Sequence, residues 1–137
     1  MSHIGLLNEK PLHASLKEWY AEPGDEIEVN VDGYVIDIVR NDCLIEIQTG
    51  NFSSIRKKLN NMLDQYKVRL IYPIAREKWL VKLPETNAGK SSRRKSPKKA
   101  RFDDVFVEAL RIPQLLAHPN FSMEILMIRE EEVRQHV

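Results

Sequence analysis

The sequence has a single cysteine, Cys43. That excludes an internal disulfide and argues against a cysteine-rich zinc centre; Cys43 itself reads as a strand residue facing the core. No apolar run approaches the roughly 20 residues of a membrane span, and the N-terminus carries no signal-peptide pattern, so a cytoplasmic protein without membrane contact is expected. His3, His13, His118 and His136 show no metal-ligand spacing, and His13 reads as a helix-surface residue. Gly89-Lys90-Ser91 lacks the upstream glycines of a phosphate-binding loop. There is no internal repeat.

What remains is one globular domain's worth of chain, 137 residues with 42% hydrophobic and 30% charged side chains, a balance that excludes gross disorder. The net charge of +1 conceals an asymmetry. Residues 90–101 (KSSRRKSPKKAR) carry seven basic and no acidic side chains, while the flanking segments are mildly acidic.

The order of elements is α/β. Asn8 to Ala21 has Leu12, Leu16, Trp19 and Tyr20 at helical spacing, and Pro23-Gly24 ends it. Three short strands follow: Ile27 to Val31, Tyr34 to Arg40 and Cys43 to Thr49. Asp32-Gly33 and Asn41-Asp42 supply the two turns. A helix over Ser53 to Gln65 carries the stripe Phe52, Ile55, Leu59, Met62 and Tyr66. Val68 to Ile74 and Trp79 to Leu83 read as two further strands. The stretch from Pro84 to Arg101 reads as a mobile basic loop. Asp103 to Leu116 reads as a helix interrupted at Pro113, with Phe106, Leu110 and Leu115 inward. Ser122 to Arg129 suits a strand or a short helix, and the charged end EEEVRQH looks helical. These readings give a core over 1–83, a loop over 84–101, and a C-terminal extension over 102–137, which has the look of a piece of an adjoining domain in a longer protein.

Hairpin register gives the chemistry. A two-residue turn at Asn41-Asp42 sets Asp37 directly opposite Glu46, and period two adds Gln48. A turn at Asp32-Gly33 sets Glu28 opposite Asp37 on its other side. Like charges opposed on a sheet destabilise it, and the neighbours Val35, Ile36 and Ile38 are too apolar for a freely solvated face. A solvent-facing acidic strand face is one reading of this pattern. The other is a site relieved by raised carboxyl pKa values or by a divalent cation.

Asp37, eight residues, then Glu46-Ile47-Gln48 resembles the D-x(n)-(D/E)-x-K motif of the PD-(D/E)XK, or restriction-endonuclease-like, nucleases in an E-x-Q form. The succession helix, meander, helix, strand is similar too, over roughly residues 8–83, and EVNVDGYVIDIVRNDCLIEIQTGNFSSIRKKL resembles an uncharacterised bacterial group within that superfamily. The resemblance implies a restriction-endonuclease-like core and Mg2+- or Mn2+-dependent hydrolysis of DNA phosphodiesters. It makes Asp37 and Glu46 metal ligands, with Glu18 of the first helix as accessory ligand (Glu9 and Glu22 less well placed) and Glu28 as a further candidate. Gln48 stands where the family has lysine and would orient water; Arg56 or Lys57 would restore the missing charge. Lys90, Arg93, Arg94, Lys95, Lys98, Lys99 and Arg101 are candidates for backbone phosphate contact. A homodimer is expected by the same resemblance. A nuclease-like fold that binds nucleic acid or a protein without cutting, and a plain assembly module, are the competing expectations.

Overall fold

The computed structural model describes residues 11–84, 89–97 and 103–134. Its elements, in chain order, are α1 (Pro11–Tyr20), β1 (Glu26–Val31), β2 (Tyr34–Arg40), β3 (Cys43–Ile47), a 3-10 turn (Phe52–Ile55), α2 (Arg56–Leu63), β4 (Lys67–Lys82), β5 (Ser92–Lys95), α3 (Asp103–Ala109), α4 (Pro113–Leu116) and β6 (Phe121–Arg134). The strands form one open, mixed six-stranded sheet. β1, β2 and β3 are antiparallel neighbours, β3 and β4 run parallel, β5 returns antiparallel to the far half of β4, and β6 lies parallel to β4 along nearly its whole length.

Each face of the sheet has its own core. Ile36, Leu44, Leu70 and Val68 pack with Leu59, Met62 and Leu63 of α2 and with Ile112 and Leu115 near α4. Ile38, Ile45, Ile47 and Ile71 pack with Leu16 of α1. The apolar stripe of α2 therefore does what its spacing dictates. Tyr20 clasps α1 to the sheet: its hydroxyl donates to Glu124 at 2.8 Å and accepts from Arg69 at 3.1 Å. Tyr20→Phe is expected to cost about 1–2 kcal/mol, because it strips a partner from two charged groups. Urea unfolding measures this, and an unchanged midpoint would show the clasp to be idle.

Several sequence expectations are corrected. The two strands expected at 68–74 and 79–83 are one strand, β4, because β6 pairs with both parts and a bulge between Ala75 and Glu77 absorbs the irregularity. Pro73 is tolerated there because the β3 pairing has already ended at Ile71. The basic segment is not all loop, since Ser92–Lys95 joins the sheet. Ser122 to Arg129 is strand, and the acidic residues Glu130, Glu131 and Glu132 continue it rather than start a helix. Pro113 does break the helix, and it opens α4. Phe106 and Leu110, expected inward, are 61% and 78% exposed, while Val105 and Ile112 fill the core beside Leu115. Trp19 likewise points outward, at 71% exposed.

Candidate active site

The meander takes the register that its turns dictate. Asp32 (φ 51°) and Gly33 (φ 88°) turn β1 into β2, and Asn41 (φ 55°) turns β2 into β3. The pairs Arg40/Cys43, Val39/Leu44 and Ile38/Ile45 then zip β2 to β3. The ladder stops one pair short of Asp37 and Glu46. Here side chains replace backbone: the Asp37 N–H donates to Glu46 Oε1 at 3.1 Å, and the Ile47 N–H donates to Asp37 Oδ2 at 2.9 Å. Ile36 and Ile38 are both fully buried yet lie in cores on opposite faces, so β2 turns over at Asp37. On the other side the β1–β2 pairing skips Glu28, whose φ of 54° is strained for a side chain other than glycine. The sheet is thus forked at the three opposed carboxylates.

The fork opens into a cleft of about 650 Å3 lined by His13, Lys17, Glu28, Asp37, Glu46 and Lys58, with Gln48 at its side. Each carboxylate has a cationic or ionisable neighbour from a helix. His13 Nε2 stands 3.1 Å from Asp37 Oδ2, Lys17 Nζ 2.6 Å from Glu28 Oε1, and Lys58 Nζ 3.0 Å from Glu46 Oε2. Lys58 also donates to the Val35 carbonyl at 2.7 Å. Glu46 is the most enclosed of the three, with its side chain 8% exposed. Burial, and after it the Asp37 carboxylate, push its carboxyl up to about 7 against the downward pull of Lys58.

The residues expected from sequence separate into those the fork gathers and those it does not. Asp37, Glu46, Glu28 and Gln48 all border the cleft. The amide of Gln48, expected to orient water, instead donates to the Asn51 carbonyl and to Ser54 Oγ, both at 2.9 Å, and so braces the turn into α2. Glu18 does not border the cleft: it is exposed, and α1 presents His13 and Lys17, four residues apart, in its place. Arg56 and Lys57 are exposed, and the positive charge at Glu46 comes from Lys58. The sequence carried that signal, because Lys58 lies three residues after Ile55 and four before Met62, on the inner side of α2. His13, expected on the helix surface, lies three residues before the buried Leu16 and so on the inner side of α1.

The basic strand lies elsewhere. Glu46 is level with Leu70 on β4, whereas β5 begins its pairing at Trp79, nine positions further. At ~3.3 Å per residue that is about 30 Å along the strand. Arg93 pairs with Glu131 at 2.6 Å and lies over the Trp79 ring at 4.3 Å, and Lys95 pairs with Glu77 at 3.1 Å. Arg94 and Lys90 are exposed, while Lys98, Lys99 and Arg101 lie outside the described residues, as do His3, His136 and Glu9. His118 stands 3.5 Å from Asp64, whose side chain is solvent-exposed, and does not border the cleft.

Among the described residues no group of three or more His, Cys, Asp or Glu side chains is arranged to hold a metal. The donor set at the fork nevertheless fits a hard divalent cation. Magnesium takes one or two carboxylates and completes its shell with water and phosphate, and Asp37 and Glu46 supply two carboxylates at the edge of an open cleft. The raised pKa of Glu46 marks a buried carboxylate whose charge is only partly compensated. No helix among the described residues is long and apolar enough to cross a membrane.

Comparison with known proteins places the chain without naming a function. An uncharacterised protein of Treponema pallidum (strain Nichols) is 30% identical over 132 residues, covering 96% of this chain and 52% of that protein. The chain therefore spans about half the length of this relative. No solved structure matches it. The model of a family described as "Domain of unknown function (DUF8091)" matches residues 10–136, nearly the whole chain, and the protein belongs to that family.

Proposed function

We propose that this domain is a metal-dependent nuclease of the PD-(D/E)XK class, with a restriction-endonuclease-like core, that hydrolyses phosphodiester bonds in DNA. One observation carries the reading: two opposed carboxylates, Asp37 and Glu46, leave the strand ladder together at a forked sheet, with Lys58 3.0 Å from Glu46. An acidic face on an ordinary meander keeps its ladder and stays in solvent. This one gives up ladder pairing to hold carboxylates at the edge of a cleft.

The roles follow from position. Asp37 and Glu46 would hold Mg2+ or Mn2+. When bound, the cation polarises a phosphodiester and lowers the pKa of coordinated water. Lys58 supplies the positive charge that a lysine on β3 gives elsewhere in the class and that Gln48 cannot, since an amide is neutral and acts only through hydrogen bonds. His13 orients the Asp37 carboxylate, and Lys17 holds Glu28. Gln48 fixes the turn that aims α2, and thereby Lys58, at the fork. DNA is the substrate proposed, and the cell's cytoplasm the place.

The test is titration calorimetry with Mn2+ and Mg2+, followed by incubation with plasmid and branched DNA. Wild-type protein is expected to bind metal and nick. Lys58→Met is expected to keep metal binding, tightened by loss of a competing cation, and to lose cleavage by about a hundredfold or more, the scale of removing one transition-state charge partner. Undiminished nicking by Lys58→Met would remove that residue from the mechanism. A folded wild-type protein that binds neither metal nor cleavable DNA would end the nuclease reading. The second reading, a nuclease-like module that binds without cutting, is favoured by Gln48, whose amide is committed to Asn51 and Ser54.

A further inference from the structure

The nuclease reading leaves open how the substrate strand lies across the protein, and a second cavity bears on it. About 260 Å3 in volume, it has Arg56, Asn60, Arg111 and Gln114 at its rim and Ile112 and Leu115 among its lining. We infer that Arg56 and Arg111 form a subsite for a backbone phosphate of duplex DNA, across α2 from the carboxylate fork. The inference rests on the nuclease reading and deepens it by naming a duplex and its path.

Four observations support it. The side chains at the rim are two guanidinium groups and two carboxamides, and among the described residues no carboxylate borders the cavity. Arginine meets phosphate through paired N–H donors, and carboxamides add donors without charge. Arg111 is oriented in advance: its Nε stands 3.5 Å from Glu108, and its Nη1 rests 3.5 Å from Ser53 Oγ. Glu108 also accepts the Phe52 N–H at 2.9 Å, which fixes its carboxylate beside Arg111. Arg56 has no ion pair among the described residues, so with Arg111 offset by Glu108 the site keeps a net positive charge.

Its position suits a strand that also reaches the fork. Ile55 and Lys58 border the cleft, whereas Arg56 and Asn60 border the second cavity. At 100° per residue these are opposite sides of one helix turn. A helix is ~10–12 Å across, about three steps of duplex at a rise of ~3.4 Å. A backbone crossing the start of α2 would thus meet Lys58 at one phosphate and the arginine pair a few nucleotides away. The basic strand β5 suits this less well, because Arg93 and Lys95 already have acidic partners.

The experiment is fluorescence anisotropy of a labelled short duplex in metal-free buffer across a salt series. It uses wild-type protein, Arg56→Ala/Arg111→Ala, Arg56→Lys/Arg111→Lys and Lys67→Ala. Lys67 is exposed and lies at the opposite end of β4's pairing with β3, so it reports generic charge loss. The alanine pair is expected to bind roughly tenfold weaker or worse, and to lose about one unit from the slope of log affinity against log salt, near 0.9 per phosphate contact. The lysine pair is expected to restore the slope but not the full affinity, since lysine is a point charge without the paired donors. If the alanine pair, folded by circular dichroism, keeps wild-type affinity and slope, the subsite is overturned while the nuclease reading stands. An equal loss in Lys67→Ala would also overturn it, as generic electrostatics. Failure of wild-type protein to bind any duplex would overturn the subsite together with DNA as the substrate.

Discussion

Asp37→Ala is expected to abolish metal-dependent nicking, a loss of a thousandfold or more, and to destabilise the fold as well. Both effects have the same origin. Asp37 Oδ2 accepts the Ile47 N–H at 2.9 Å, where the sheet gives no carbonyl for it. Alanine leaves that N–H unpaired in a half-buried place, at a cost of about 1–3 kcal/mol. Stability and activity are separable with Asp37→Asn. Its amide oxygen still accepts from Ile47, so its melting temperature is expected to stay within a few degrees of wild type, while the missing charge removes metal binding. The measurement is a pair of thermal melts and nicking assays. An asparagine variant that nicks as wild type would exclude Asp37 as a metal ligand, and an alanine variant as stable as wild type would show that the fork does not depend on this hydrogen bond.

The second large effect is a pH dependence of unusual sign. The Glu46 carboxyl is pushed from an ordinary 4.5 up to about 7 in the folded protein, by burial first and by Asp37 second. Between these values the unfolded chain has released the proton and the folded chain still holds it. Stability therefore falls as pH rises through that window and is level above it. For a group so well buried the difference is on the order of 3 kcal/mol between pH 4.5 and 7. Asp25, held low by Arg40, and Glu77, held low by Lys95, work in the opposite direction at lower pH, so the comparison must be made against a variant. Glu46→Gln is neutral at every pH. Metal-free denaturant titrations at pH 5 and pH 8 should show the variant gaining on wild type by up to about 3 kcal/mol as pH rises. Added Mg2+ at pH 8 should stabilise wild type and leave the variant nearly unmoved. Parallel pH curves for the two proteins would place Glu46 in solvent and dissolve the argument for a strained, charge-seeking site.

Much of this was legible in the chain because it is local. Asp32-Gly33 and Asn41-Asp42 are turns whose backbone angles fix which residues face each other, so the opposition of Glu28, Asp37 and Glu46 follows from spacing alone. The stripe from Phe52 to Met62 fixed α2 and its buried side in the same way. The break at Pro113 needed only the missing N–H of proline.

The rest depended on contacts between distant parts of the chain. No spacing rule says that the ladder would open at Asp37 instead of pairing through it. That follows from packing cores on both faces, which pulls Ile36 and Ile38 to opposite sides. Which helix residues reach the fork depends on how α1 and α2 dock, and docking chose His13, Lys17 and Lys58 over Glu18, Arg56 and Lys57. β4 became one long strand, and Arg93 to Lys95 an edge strand, because β6 returned from the far end of the chain to pair along it. The sequence determined by itself a mixed α/β chain and an opposed row of carboxylates, because turn geometry and residue period act over a few residues. Only the tertiary structure decided that the row would become a cleft with its own cations, because that required two helices and two cores to meet at one opened pair of strands.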